Sequence, residues 1–282
     1  MNTLDQIREG IDRLRDKALE EQMRLPFPNL PDDRRAAPND MIRSALFGVV
    51  QRGRRKMLDK AEIPTPPGWK LYYTGRRLDQ IDLDIWLEVM HHARNTTPGE
   101  AICFTLRSIL RALGHHDGAS AYEWLKERLE SMTLGGFSYQ SADGKTAGAT
   151  GSLFRDFRID KATGEGVVET NPRLRSLYES ITYLDFAGRL ALDSQLSKWL
   201  HAVIASHARW IPTKVETLML QSGASYTRLR DFRSDLRAAL DELAARKRVR
   251  SWSIDAADLV HIDKEATPTQ LRHLSACSTN RS

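Results

Sequence analysis

The residues with the clearest chemical purpose are the arginines in YTRLRDFRSDLRAALDELAARKRVR, from Tyr226 to Arg250. A guanidinium is always charged, and its fork of N–H donors matches both phosphate oxygens and the edge of a guanine. Wound as a helix, Phe232, Leu236, Leu240 and Leu243 fall within roughly 60° of Leu229 and form one apolar face. Arg230, Arg233 and Arg237 flank that face on one side, with Thr227 and Ser234 farther round. Such a helix can rest its apolar face on a core and offer its basic shoulder to DNA. A solvated amphipathic helix, its arginines paired with Asp231, Asp235 and Asp241, accounts for the same spacing.

Chemistry of other kinds finds little support. The stretch YQSADGKTAG ends like a phosphate-binding loop at Gly144, Lys145 and Thr146, but Tyr139 stands where the first required glycine belongs. His91 with His92 and His115 with His116 are adjacent pairs, a spacing that does not put two imidazoles on one face for a metal. The histidine pair and tyrosine of a strand-nicking enzyme are absent at their usual spacing, and no Ser, His and Asp set stands out. These readings predict no catalytic residues, no metal and no cofactor.

Composition bounds the setting. The chain has 282 residues, 41% of them hydrophobic, enough for one large or two small domains, and its net charge of +5 is only mildly basic. Cys103 and Cys277 are too few for a disulfide framework. In SALFGVVQRGRRKMLDK, the apolar run Ala45 to Val50 is six residues long, against the about 20 that a membrane span needs. Acidic residues interrupt the N-terminus too early for a secretory signal, so a cytoplasmic location is expected. Ala45, Leu46, Phe47, Val49 and Val50 are expected to seat a core. Arg52, Arg54, Arg55 and Lys56 read equally well as a basic DNA-facing edge or a solvated end.

The elements that must position these residues follow from periodicity. Residues 1–25 read as an amphipathic helix through Leu4, Ile7, Ile11, Leu14 and Ala18, and the prolines at 26, 28, 31 and 38 read as an extended linker over 26–39. Next come a strand at Lys70–Thr74, helices over Leu78–Arg94, Phe104–Leu113 and Ala121–Met132, and β segments at Gly136–Gln140 and Ser152–Ile159. The order recurs downstream: a helix over Gln195–Ser206, another opened by Pro212 and running to Gln221, a turn at Gly223, a long helix over Tyr226–Ala245, and a hairpin from Val249–Ile254 and Leu259–Ile262. Helix, turn, helix and hairpin is the order of a winged helix. The expected class is therefore α+β: two tandem winged-helix domains, at 37–185 and 186–263, after an N-terminal helix and linker over 1–36 and before a disordered tail over 264–282. Such motifs place the start of their second helix in the major groove. Tyr226, Thr227, Arg228 and Arg230 are then the first candidates for DNA contact, with Arg233, Arg237, Lys214, Arg248 and Arg250 completing the set.

PNDMIRSALF (Pro38 to Phe47), YYTG (Tyr72 to Gly75), SHARWIPTKVETLML (Ser206 to Leu220) and ADLVH (Ala257 to His261) together resemble the TrfA family of plasmid replication initiators. The resemblance implies a non-enzymatic protein that binds iterons in double-stranded plasmid origin DNA, opens an adjacent AT-rich region and contributes to copy-number control. It also implies interconversion between dimers and DNA-binding monomers, and partners among the host initiator ATPase, replicative helicase and sliding clamp. QMRLPF, with Gln22, Leu25 and Phe27 as anchors, fits the family's clamp-binding peptide, although Met23 and Arg24 depart from its usual residues. A winged-helix transcriptional repressor, or a strand-nicking replication enzyme, is the alternative reading.

Overall fold

The computed structural model describes residues 31–50, 55–65, 69–96, 100–141, 147–171, 174, 177, 178, 180–267, 270 and 271. The N-terminal helix, the clamp-type peptide at 22–27, Arg52 and Arg54 lie outside them.

One helix organises the first half. α2 (Gln80–His92) begins at Asp79, whose carboxylate accepts the amides of Ile81 and Asp82, while the Asp82 side chain accepts the amide of Asp79. This reciprocal capping box satisfies amides that the first helical turn leaves without partners. The spacing of Ile81, Leu83, Ile85, Trp86 and Val89 suggests a helix with one wet face, yet Asp82, Asp84 and Glu88 are buried along with the apolar residues. Each acid meets arginine from another part of the chain. Asp82 is bound by Arg55 at 2.8 Å and Arg128 at 2.9 Å, Asp84 by Arg189 and Lys198, both at 2.6 Å, and Glu88 by Arg35 at 2.7 Å.

Around α2 the strands form three sheets. β1 (Arg34–Pro38) pairs antiparallel with β9 (Ile181–Asp185), and α1 (Asn39–Arg43) follows β1. β2 (Met57–Ile63), β3 (Trp69–Arg76), β5 (Gly136–Ser141) and β6 (Ala147–Gly151) make a sheet in that order. β4 (Ala101–Thr105), α3 (Leu106–Ala112), α4 (Ala119–Leu134), β7 (Phe154–Ile159) and β8 (Glu165–Thr170) supply a sheet of order β4-β8-β7. The second half comprises α5 (Phe186–Leu190), α6 (Gln195–Ser206), β10 (Thr213–Lys214), α7 (Val215–Gln221), α8 (Leu229–Ala245), β11 (Ser251–Ile254) and β12 (Leu259–Asp263), with sheet order β10-β12-β11. The blocks α2-β4-α3-α4-β7-β8 and α6-β10-α7-α8-β11-β12 thus repeat one succession of elements and one strand arrangement. The β5–β6 hairpin is inserted into the first copy.

Several local expectations change. Arg34–Pro38 is a strand rather than linker, because its Ala36 and Ala37 are buried and β9 supplies its ladder. Phe104 belongs to β4 rather than to a helix, and Thr105 caps α3 by accepting the amide of Ser108 at 3.0 Å. The segments at Gly136–Gln140 and Ser152–Ile159 do not pair with each other: β5 joins β3, and β7 pairs with β8. Pro212 does not open a helix, since Thr213 and Lys214 pair with β12 before α7 starts at Val215. The long helix starts at Leu229, so Tyr226, Thr227 and Arg228 precede it. Chain beyond residue 263 also makes contacts: Lys264 Nζ donates to Ile204 O at 3.0 Å and Gln270 Nε2 to Ala205 O at 2.8 Å.

Two apolar clusters result, one around Trp86, Leu129 and Phe154, the other around Trp199, Phe232, Leu236 and Leu240. The opening apolar run divides between them: Ala45, Leu46 and Phe47 enter the first and Val49 the second. Arg55 is held by buried Asp82, which removes it from any DNA-facing edge. Among the described residues no helix is long and apolar enough to cross a membrane.

Two outcomes follow. Replacing Arg189, fully buried and bonded to Asp84, Gln80 and the Lys198 carbonyl, by methionine strands part of the Asp84 charge and costs about 3–5 kcal/mol in denaturant unfolding. Burial, then nearby Arg189 and Arg248, push His201 down to about 3. Its neutral form is the folded one, so the unfolded chain takes up the proton first and stability falls as pH drops below the ordinary histidine range. His201→Leu should reduce the stability lost between pH 7 and pH 5 by about 2 kcal/mol, measured by thermal unfolding at each pH.

Candidate nucleic-acid interface

α8 is seated by its apolar face. Phe232, Leu236, Ala239, Leu240 and Leu243 are buried. Its start is anchored by Tyr226, whose ring meets Phe232 edge-on at 5.2 Å and whose hydroxyl donates to Asp235 at 2.6 Å. Tyr226 is therefore half-buried and braces the helix. Thr227, Arg228, Arg230, Ser234 and Arg237 are exposed. They make a polar and basic outer surface running from the end of the α7–α8 turn along the helix. Arg228 bonds Asp231 at 2.8 Å, an exposed pair worth little that a phosphate can displace. Arg230 is the more open, its side chain 78% exposed and 3.8 Å from Asp231.

The expected arginines do not all gather on this surface. Arg233 grips Asp258 through two bonds, Nε to Oδ1 at 2.9 Å and Nη2 to Oδ2 at 2.7 Å. This pair ties α8 to the β11–β12 turn, and its hydrogen bond holds the Asp258 carboxyl below the usual carboxylate range. Arg248 turns the other way, bonding Asp185 at 2.6 Å against the backbone of Gly188. Arg250 is engaged by Glu265 at 2.8 Å and Asp263 at 3.2 Å. The hairpin that follows these two arginines is short and acidic at its tip. Asp255 accepts the amides of Ala257 and Leu259 and meets His261 at 2.9 Å.

Lys214 is exposed at the start of α7, and neither it nor Arg237 has an ion pair among the described residues. Lys247, outside the candidate set drawn from the sequence, belongs with them. It is exposed in a left-handed conformation with φ of 57°, one residue past Arg246, which caps α8. The signal available in sequence was its lack of an acid at helical spacing, unlike Arg246, which pairs with Glu242 one turn back. The corresponding helix of the first block, α4, has a different outer surface: Glu123, Glu127 and Glu130 are exposed and Arg128 is drawn into the core by Asp79 and Asp82. Among the described residues no cluster of His, Cys, Asp and Glu is arranged to hold a metal ion. Residues 142–146 of the loop-like YQSADGKTAG stretch lie outside the described set.

The sequence profile of the TrfA protein family matches residues 11–264. The chain belongs to the TrfA family. It is 28% identical over 242 residues to the plasmid replication initiator protein TrfA of Escherichia coli, an alignment covering 82% of this chain and 62% of that relative. The chain therefore spans less than two thirds of the length of this curated TrfA. In fold it is similar to domains 2 and 3 of RctB, with a TM-score of 0.55 at 13% identity over 82% of this chain and 99% of the other. It is similar as well to the Pi initiator protein solved in complex with iteron DNA, with a TM-score of 0.50 at 13% identity over 66% of this chain and 94% of that one. Those identities establish likeness of architecture. The TrfA-family match, by contrast, extends across both blocks.

The ion pairs separate arginines open to a phosphate from arginines that serve as ties. Arg230→Ala and Arg237→Ala should each lower the slope of log affinity for target DNA against log salt by about 0.9, the value for one phosphate contact. Arg233→Ala should weaken binding by the same factor as Asp258→Asn, because both release the hairpin from α8. A loss confined to Arg233→Ala would assign that arginine to the DNA instead. Affinity titrations across a salt series measure all four.

Proposed function

We propose that this TrfA-family chain is a plasmid replication initiator that binds iterons in double-stranded origin DNA, promotes opening of the origin and recruits host replication proteins. The observation that carries the reading is the exposed surface formed by Thr227 and Arg228, just before α8, and by Arg230, Ser234 and Arg237 on it, while the apolar side of the helix is firmly seated. Family membership, and the iteron DNA held by a protein of similar architecture, support it. In this reading the two repeated blocks are winged helices, occupying residues 37–185 and 186–263. The start of α8 enters the major groove, and Lys214 and Lys247 meet the backbone beside it. α4, with its acidic outer surface, contributes backbone contacts through its flanks rather than by reading bases. Arg233 and Arg248 act as braces, and Arg250 joins the phosphates only by leaving Glu265.

The proposed protein performs no covalent chemistry. Its work is to hold and deform DNA, with the host initiator ATPase, the replicative helicase and the sliding clamp as partners, the clamp through Gln22, Leu25 and Phe27. Self-association in a monomer–dimer equilibrium completes the reading, and the setting is the bacterial cytoplasm. Nuclease footprinting on DNA flanking the gene tests it. Protection recurring at a fixed spacing, on a fragment that replicates as a plasmid only when the protein is supplied, is the expected result. A single protected operator without replication would make the protein a repressor, and nicked circles from supercoiled DNA would make it an enzyme.

A further inference from the structure

Arg77 lies between β3 and α2, outside every candidate motif. Its Nη2 donates at 2.5 Å to the carbonyl of Gly223, the residue that turns the chain between α7 and α8 with φ of 62°. To reach it, the guanidinium passes between two glycines from opposite halves of the molecule. A Cβ added to Gly48 or to Gly223 would stand 2.5 Å from Nη2, far inside van der Waals contact, so both positions stay bare while Arg77 keeps its place. Among the described residues no carboxylate pairs with Arg77, and burial pushes its guanidinium below the ordinary value. An arginine held on one backbone carbonyl in this way is a brace between elements, since a surface charge would turn to solvent.

The backbone beside it continues the connection. Val49 donates to Ser222 O at 2.9 Å, Gly48 donates to Leu78 O at 3.1 Å, and Gly48 forms a bridge with Asp79. Asp79 in turn holds Arg128 of α4 at 2.8 Å. A short polar path therefore joins α4 to the turn that launches α8, and Arg77 closes it at the α8 end.

We propose that Arg77 is a positioning residue that fixes α8 against α4, and so sets the spacing and helical phase at which the two blocks engage one DNA duplex. The DNA part rests on the initiator reading above; the mechanical part does not. Successive base pairs are rotated by about 35°, so a rigid pair of helices penalises an inserted base pair while a loosened pair accommodates it.

Two measurements test this on the full chain. Spin labels at Glu130→Cys and Asp241→Cys, with Cys103 and Cys277 replaced by serine, report the distance between α4 and α8. The parent should show one narrow distribution and Arg77→Met a broad one, with Arg77→Lys intermediate. In the second, affinity is compared on the native site and on duplexes with one base pair inserted between the two protected stretches. The unsubstituted protein should lose about tenfold; Arg77→Met should bind the native site more weakly yet lose less than about threefold on insertion. A distance distribution as narrow as the parent's, or an unchanged insertion penalty, overturns the proposal, and an equal loss on every duplex reduces Arg77 to general stability. Should Arg77→Met not fold, Gly48→Ala, which displaces the guanidinium without removing it, is read in the same two series. A parent protein with no sequence-specific complex overturns the initiator reading instead, and the distance measurement still decides the role of Arg77.

Discussion

Three carboxylates inside one buried helix set the terms for the rest of this molecule. Asp82, Asp84 and Glu88 sit within α2 at exposures of 0%, 1% and 4%, where an unpaired charge would cost several kcal/mol. Each is neutralised by cations brought from a distance: Arg55 from the chain before β2 and Arg128 from α4, Arg189 and Lys198 from the second half, Arg35 from β1. Any arrangement that misplaces one of those segments leaves a buried charge exposed to its own desolvation. The pairs thus act as a register for the assembly of α2, α4, α5, α6 and β1. Arg35 adds a stack on the Phe186 ring at 4.4 Å, which couples β1 to the start of α5 as well.

The join between the two halves is built on the same principle. α6 lies against α1, α2 and β9, with Lys198 on Asp84 and Arg43 donating to Ser206. Arg248 crosses back from the end of α8 to Asp185. Polar ties of this kind resist rotation, because hydrogen bonds lose strength steeply with misdirection while apolar contact does not. A helix that enters a groove, as proposed for α8, gains from such a mounting. α8 can present Arg230 and Arg237 outward only because its inner face and both of its ends are held.

Legibility varied with the kind of interaction. α8 and its apolar stripe, α6, and the β11–β12 hairpin were readable, since their cores are written at period 3.6 or 2 over consecutive residues. β1 reads locally as linker because Pro31 precedes it and Pro38 ends it, and nothing local reveals the partner strand at Ile181–Asp185. β8 was not anticipated, and Gly136–Gln140 was assigned to the wrong neighbour, for the same reason: pairing partners are chosen by topology. At the candidate interface, the basic shoulder was found from spacing, whereas the diversion of Arg233, Arg248 and Arg250 to Asp258, Asp185 and Glu265 was not, because those acids are distant in sequence or lie across a turn.

Residue order alone determined the mixed α and β class, the repeated succession of helices and strands, the family to which the chain belongs and the helix that carries its basic face. Those properties are local, or recur as short strings, and survive without knowledge of contacts. Tertiary structure decided which arginines remain free to meet a phosphate and which serve as ties, that the run from Ala45 to Val49 feeds two cores, and that Arg77 passes between Gly48 and Gly223. A guanidinium looks the same in sequence whether it faces water, a carboxylate or a carbonyl. Its role is set by which acceptor the fold brings within reach.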